Sequence, residues 1–267
     1  MLDPRELLLS GDTEAALSAL TDQVRADPAD SAKRVALFQL LALEGAWERS
    51  GKQLGVLDSL DADLQLLAQA YSPLLTCELF RQEVFQGQRD AAILGEPEQW
   101  MVHALQALKS DAAGTHDSAQ TLRDAAFDEA PAVSGHIDGV DFEWIADADT
   151  RIGPFFEMMV RGHYYWVPHT RLQKLTFEAP EDVRDLIWAP VSVVWSGGGE
   201  EVGFVPARYP GDVAGWTALQ KMARETAWNE TSPGCYAGLG QRLLVSSEDD
   251  HPLLEIRELE FSKSSAD

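Results

Sequence analysis

The chain is poor in cysteine, in basic residues and in long apolar runs, and each shortage removes a class of function. Its 267 residues include two cysteines. Cys77 and Cys235 lie far apart, one in each half, without the spacing of a disulfide framework or a thiolate metal site. Two reduced thiols and a cytoplasmic location are therefore expected. Lys and Arg number 21 against 44 Asp and Glu, a formal net charge of −23. Residues 1–130 carry 22 acidic and 10 basic side chains and the remainder 22 and 11, so the surplus is spread over both halves rather than held in a tail. A field of that sign repels phosphate backbones and anionic lipid, so neither nucleic acid nor a membrane is an expected partner. It favours solubility, and a partner with exposed Lys or Arg. No apolar run approaches the roughly 18 residues of a membrane span. The opening Met1-Leu2-Asp3-Pro4-Arg5-Glu6 has no basic segment ahead of an apolar stretch, so no signal peptide is expected.

Catalytic signatures are missing too. The glycines at 197–199 are followed by neither Lys-Ser nor Lys-Thr, and no helix is expected behind them, which rules against a phosphate loop. Gly238-Leu239-Gly240 lacks the third glycine of a dinucleotide turn, and a strand should follow it. No Gly-x-Ser-x-Gly is present. Asp147 and Asp149 flank a turn but lack a third convergent group; cap roles, or pairing with Arg151, are the expectation. His163 and His169 do not have a zinc spacing and are expected at the surface or in packing. No cofactor or metal is expected.

What is present falls into two unlike halves. Residues 1–130 read as stacked helical hairpins. Gly11 and Gly45 are 34 residues apart, as are Asp27 and Asp61, and that period matches a tetratricopeptide-like helix–turn–helix unit. Leu17, Leu20 and Val24 stripe one helix, and Asp27-Pro28-Ala29-Asp30 ends it, with Asp30 or Ser31 capping the next. Val35, Phe38, Leu41 and Ala42 follow, and Trp47, Leu54 and Leu57 continue the second hairpin. Leu64, Leu67, Tyr71, Leu75 and Leu79 mark a longer helix that Pro73 should restart or kink from a Ser72 cap. Two more helices are expected near 97–110 and 117–130.

From Pro131 the period changes, and six of the eight Trp and four of the five Tyr lie beyond it. A linker is expected over 131–139, then an aromatic-rich α+β domain over 140–267 built on an antiparallel sheet or a partly open barrel. Tyr164-Tyr165-Trp166-Val167 and Leu172, Leu175 and Phe177 read as strands. Val191-Ser192-Val193-Val194-Trp195 and Val202-Gly203-Phe204-Val205 flank Ser196-Gly197-Gly198-Gly199 as a hairpin. A short helix is expected over 215–222. Leu243-Leu244-Val245 and Leu253-Leu254-Glu255-Ile256 should be closing strands around the acidic turn Glu248-Asp249-Asp250.

Several phrases of this second half resemble the ImpE/SciE family, also called TagJ. They are Asp147-Ala148-Asp149 through Arg151-Ile152-Gly153-Pro154, Gly162-His163-Tyr164-Tyr165-Trp166-Val167-Pro168, Trp188-Ala189-Pro190, Gly238-Leu239-Gly240-Gln241-Arg242 and Pro252-Leu253-Leu254-Glu255-Ile256-Arg257. Where the family often has Asp-Gly in the hairpin turn, this chain has Gly198-Gly199. The resemblance implies a non-enzymatic adaptor of bacterial type VI secretion. It would bind the N-terminal helix of the small contractile-sheath subunit and associate with the AAA+ ATPase that recycles sheaths. A peptide helix needs an apolar trough. Tyr164, Tyr165, Trp166, Trp188 and Trp195 are candidates to line one, and Phe38, Leu41 and Trp47 mark a second surface. Glu200, Glu201 and the 248–250 turn could supply an acidic rim. The alternative is an enzyme or small-ligand site in the aromatic domain, which would bring Asp147, Asp149 and His163 together in a deep pocket.

Overall fold

The computed structural model describes residues 3–60 and 62–262. Asp61, one of the two aspartates of the 34-residue spacing, lies outside the described residues. The chain opens with α1 (Pro4–Leu9), α2 (Thr13–Ala26), α3 (Ser31–Leu43), α4 (Trp47–Leu60) and α5 (Ala62–Phe85). A two-residue strand β1 (Ala92–Ile93) precedes α6 (Gln99–Ala112) and α7 (His116–Glu129). Aspartates start the early helices. Asp3, Asp12 and Asp30 each accept a hydrogen bond from a first-turn amide at 3.0 Å, so Asp30 rather than Ser31 is the cap of α3. Gly11 and Gly45 end α1 and α3 in the left-handed conformation, φ 86° and 68°, which lets the next amide bond back into the helix. Gly87 and Gly114 end α5 and α6 in the same way, but they do not fall on the 34-residue spacing. Pro73 does not restart the expected helix: α5 runs through it for 24 residues. Packing against α4 on one side and the sheet on the other overrides the missing N–H.

The rest of the chain contributes β2 (Gly135–Ile137), β3 (Val140–Phe142), β4 (Ile145–Asp147), β5 (Phe155–Val160), β6 (His163–Pro168), β7 (Leu172–Phe177), β8 (Trp188–Trp195) and β9 (Glu200–Pro206). After α8 (Ala218–Lys221) come β10 (Thr226–Ser232), β11 (Cys235–Gly240), β12 (Leu243–Ser246), β13 (Asp250–Pro252) and β14 (Glu258–Phe261). Nine strands form one sheet in the order β1-β6-β5-β9-β8-β7-β14-β2-β3. It is antiparallel except at β1, which the helical half lays parallel to β6. A β13-β12-β4 sheet and the β10–β11 hairpin complete a mixed α+β fold with eight helices among the described residues.

Two expectations are corrected here. The linker over 131–139 is shorter than expected, because Gly135–Ile137 is a strand paired with β14. Leu253-Leu254-Glu255 is a single 3-10 turn rather than a strand, and the closing strand starts after it, at Glu258. The β8–β9 hairpin, β6, β7 and α8 lie where the sequence places them.

The large sheet is buried on both faces. Phe156, Met158, Val167, Val191, Val193 and Val205 point into a core closed by Leu253, Ile256, Leu259 and Phe261. The sheet curls around that core far enough for His169, at the end of β6, to touch Phe156 of β5 and to stack on Phe261 of β14. Alternate residues point the other way, toward the helices, as the period of two requires. Phe155, Met159, Tyr164, Trp166, Trp188 and Tyr209 share a single core with Phe38, Leu41, Trp47, Leu54, Tyr71 and Trp100. Aromatic contacts run the length of this seam: Trp47–Trp188 and Tyr71–Trp188 at 5.9 Å, Tyr71–Phe204 at 5.6 Å, Phe85–Trp166 at 6.0 Å and Trp100–Phe155 at 4.9 Å. The helical half is therefore a cover on the sheet, not a unit beside it.

Candidate functional site

A chain of buried charges runs through the seam. Glu157 projects from β5 among Phe155, Phe156, Met158 and Met159, and it is fully buried. Arg81 of α5 meets it in a forked pair, Nε to Oε1 at 2.7 Å and Nη2 to Oε2 at 2.8 Å. Arg242 reaches the same carboxylate from the segment before β12 and also donates to Asp147. Tyr164 donates its hydroxyl hydrogen to Glu157, and Trp166 donates to the Tyr164 hydroxyl at 2.7 Å. Tyr209 donates to Asp147 at 3.0 Å. Asp149 pairs with Arg151 at 2.9 Å and accepts from the Gly238 amide at 2.9 Å. Glu78, one helical turn before Arg81, accepts from Trp188 at 3.0 Å.

The electrostatics follow from this geometry. Burial opposes charge on Glu157, but the guanidiniums of Arg81 and Arg242 outweigh it and bring the carboxyl down to about 2. Burial holds Asp147 above the usual carboxylate range; Arg242 pulls against that shift, and the neighbouring Asp149 adds to it. Arg208 forms no salt bridge among the described residues. It donates instead to the Leu43 and Lys221 carbonyls at 2.8 Å and to Ala42 at 3.3 Å, across the C-terminal ends of α3 and α8. That end of a helix dipole suits a cation. Burial still lowers Arg208 to about 10. Lys221 closes the joint on Glu44 at 2.7 Å.

This network occupies most of the sequence phrases singled out above. Asp147, Asp149, Arg151, Trp188, Gly238 and Arg242 all belong to it, and Leu253 donates its amide to the Arg242 carbonyl at 2.9 Å. Gly238 is needed because a side chain there would meet the Tyr209 ring at 2.1 Å. The expected pairing of Asp149 with Arg151 is present. The pocket that an enzyme reading would draw from Asp147, Asp149 and His163 is not formed: both carboxylates are buried in ion pairs, while His163 is exposed at the start of β6. No group of three or more His, Cys, Asp or Glu among the described residues is placed to hold a metal ion.

The expected peptide trough is corrected by the same packing. Tyr164, Trp166 and Trp188 face the helices and are buried, as are Phe38, Leu41 and Trp47. All six lie in the shared core, because an aromatic strand under a helical layer has no open face. Tyr165 and Trp195 point to the opposite side of the sheet and are half-buried against the second core. Tyr165, with Cys77, Phe80 and His163, borders a shallow hollow of about 210 Å³ beside α5. Burial pushes the Cys77 thiol up to about 12, so it is held as an unreactive thiol.

An apolar groove does lie in the helical half, one face of α3 away from Phe38 and Leu41. It encloses about 380 Å³ between α1, α2, α3 and residues 181–183. Leu20 and Leu40 form its floor, with Leu8, Ala36 and Val183 on its walls. Asp3, Arg5, Lys33, Glu181 and Asp182 also border it. Sequence reasoning identified the α3 helix but chose its core-facing residues. Ala36 and Leu40, four residues apart, lie on the neighbouring face.

His169 gives a solution signature of the sheet core. Burial pulls its imidazole down to about 4, against backbone hydrogen bonds at Ile145 and Phe155. The unfolded chain takes up this proton near pH 6.5. The stabilisation present above pH 6.5 is therefore lost as the pH falls through 4, by about 3 kcal/mol. Urea midpoints measured across that range should fall in the native protein and fall less in His169→Leu. Parallel pH profiles for the two proteins would contradict this reading.

The sequence profile described as ImpE protein matches residues 139–260. A curated protein named type VI secretion system accessory component TagJ, from Pseudomonas aeruginosa, is 43% identical over 261 residues. That match covers 98% of this chain and 92% of the relative. Among solved structures, the X-ray structure of a Vibrio parahaemolyticus protein superposes with a TM-score of 0.90 at 24% identity, covering 98% of both chains. At that identity the likeness speaks for the fold.

Proposed function

The chain belongs to the ImpE family, and on that premise we propose that it is an accessory component of bacterial type VI secretion that works as a cytoplasmic adaptor without chemistry of its own. Its partner is the N-terminal helix of the small contractile-sheath subunit, and it associates with the sheath-recycling AAA+ ATPase. The observation that carries the accessory role is the 43% identity, over nearly the whole chain, to a type VI accessory component.

The groove between α1, α2 and α3 supports helix recognition, because an amphipathic helix lays its apolar stripe on such a floor and its polar flanks on the rim. Leu20 and Leu40 supply the floor, and the rim carries charges of both signs. A helical-hairpin, tetratricopeptide-like arrangement of these first helices suits the same use.

Calorimetric titration with a synthetic peptide of the sheath subunit's N-terminal helix tests the proposal. Saturable binding in the micromolar range or tighter is expected, lost when the peptide's apolar stripe is replaced by serine. Ala36→Glu, on the groove wall, should weaken binding about tenfold or more. Absence of heat and of competition would remove the sheath helix as a direct partner.

A further inference from the structure

The β10–β11 hairpin carries a second surface, unrelated to the groove. β10 has β11 on one side, and among the described residues no strand lies on the other. Among the described residues the main chain of 227–231 bonds only to β11, so along this stretch, which ends at a register irregularity between Glu230 and Ser232, the outer edge of the strand presents unpaired N–H and C=O groups. Such an edge is a template for another strand. Proteins commonly protect exposed edges with lysine or proline; the sequence Thr226-Ala227-Trp228-Asn229-Glu230-Thr231-Ser232 contains neither.

The side chains define what would fit. Thr226, Trp228 and Glu230 share one face of the strand, since alternate residues point the same way. Trp228 rests on Tyr209 with ring centroids 5.6 Å apart, which ties the hairpin to the buried network, yet 40% of it stays exposed. Tyr236, opposite Glu230 in the register, is 43% exposed. Glu230 belongs to no ion pair among the described residues and accepts only from the Gly234 amide at 3.3 Å. At the hairpin tip, a side chain at Gly234 would meet the Gln120 amide of α7 at 3.5 Å. Gln120 in turn bonds Asp124, which shares the exposed face of α7 with Asp117 and Asp128. Arg224, before the strand, is the basic residue nearest to it in sequence.

We infer that the free edge of β10 takes an extended basic segment of a partner protein by strand addition. Lys or Arg would sit opposite Glu230, and a second Lys or Arg two residues along, on the same face, would lie over Trp228. A second copy of this chain suits the edge poorly. It would bring Glu230 and the rest of a −23 molecule against the same charge, and like charges across a strand pair are destabilising.

The test uses the full chain and a synthetic peptide of alternating lysine and valine long enough to span the strand. A peptide of alternating glutamate and valine serves as control. Hydrogen–deuterium exchange should show added protection confined to Thr226–Ser232 with the basic peptide and none with the acidic one. Affinity should fall with added salt. It should also fall about tenfold in Glu230→Lys, with Glu230→Gln in between, while the unfolding midpoints stay unchanged. Equal binding of both peptides, protection elsewhere, or no effect of Glu230→Lys would overturn the inference. Protection of the same residues that grows with protein concentration and needs no peptide would overturn it in favour of self-pairing.

Discussion

Replacing Glu157 with alanine is expected to cost about 3–5 kcal/mol of unfolding free energy, the range found when one partner of a buried ion pair is removed. The top of that range applies here. The deletion leaves two buried guanidiniums, Arg81 and Arg242, without the carboxylate that accepts from both, and it strips Tyr164 of its acceptor. A domain of ordinary stability has about 5–15 kcal/mol to lose, so the variant should lie near its folding threshold at room temperature. Urea unfolding of Glu157→Ala beside Glu157→Gln measures the effect. Glutamine keeps the shape and the hydrogen bonds to one arginine, so it should recover part of the loss. A midpoint for Glu157→Ala close to that of the native protein would show that the network contributes little.

The second large effect is expected from truncation. A fragment comprising residues 1–130 should not fold into a native domain. Without the sheet, Trp47, Tyr71, Phe80, Phe85 and Trp100 lose Trp188, Phe204, Tyr164, Trp166 and Phe155, and Arg81 loses Glu157. If each aromatic side chain gives up about 100 Å² of apolar contact, the loss is about 2.5 kcal/mol apiece and of order 10 kcal/mol in all. That matches the whole stability of a typical domain. The fragment should keep helical circular dichroism, bind a hydrophobic dye and unfold without a sharp transition. A cooperative transition like that of the full chain would contradict this expectation.

The local elements were legible in the sequence because local chemistry decides them. Gly11 and Gly45 at helix ends, Asp30 as a cap, and the triple glycine between Val191–Trp195 and Val202–Val205 act within a few residues. The relation between the halves was not legible. Alternation along β5 and β6 shows that each strand has two faces, but not that a helical layer covers the one bearing Tyr164 and Trp166. Those aromatics therefore read as an open trough when they are the seam itself. One signal was available: Glu157, a lone charge within Phe155-Phe156-Glu157-Met158-Met159-Val160, needs a buried cation, and Arg81 with Glu78 supplies charge on the inward side of α5. Pairing it with a helix 76 residues earlier required the fold. The groove walls escaped for a related reason. Ala36 and Val183 are small and far apart in sequence, and only the packing of residues 181–183 beside α3 makes them one surface.

Urea unfolding of the full chain, followed in parallel by helical circular dichroism and by the fluorescence of the buried tryptophans, tests most directly whether helices and sheet form one unit. A shared core and the Arg81–Glu157–Arg242 joint require the two signals to fall together in a single transition with one midpoint. A helical signal lost at a distinctly lower urea concentration, with the tryptophan signal still native, would show two independent domains and contradict the account.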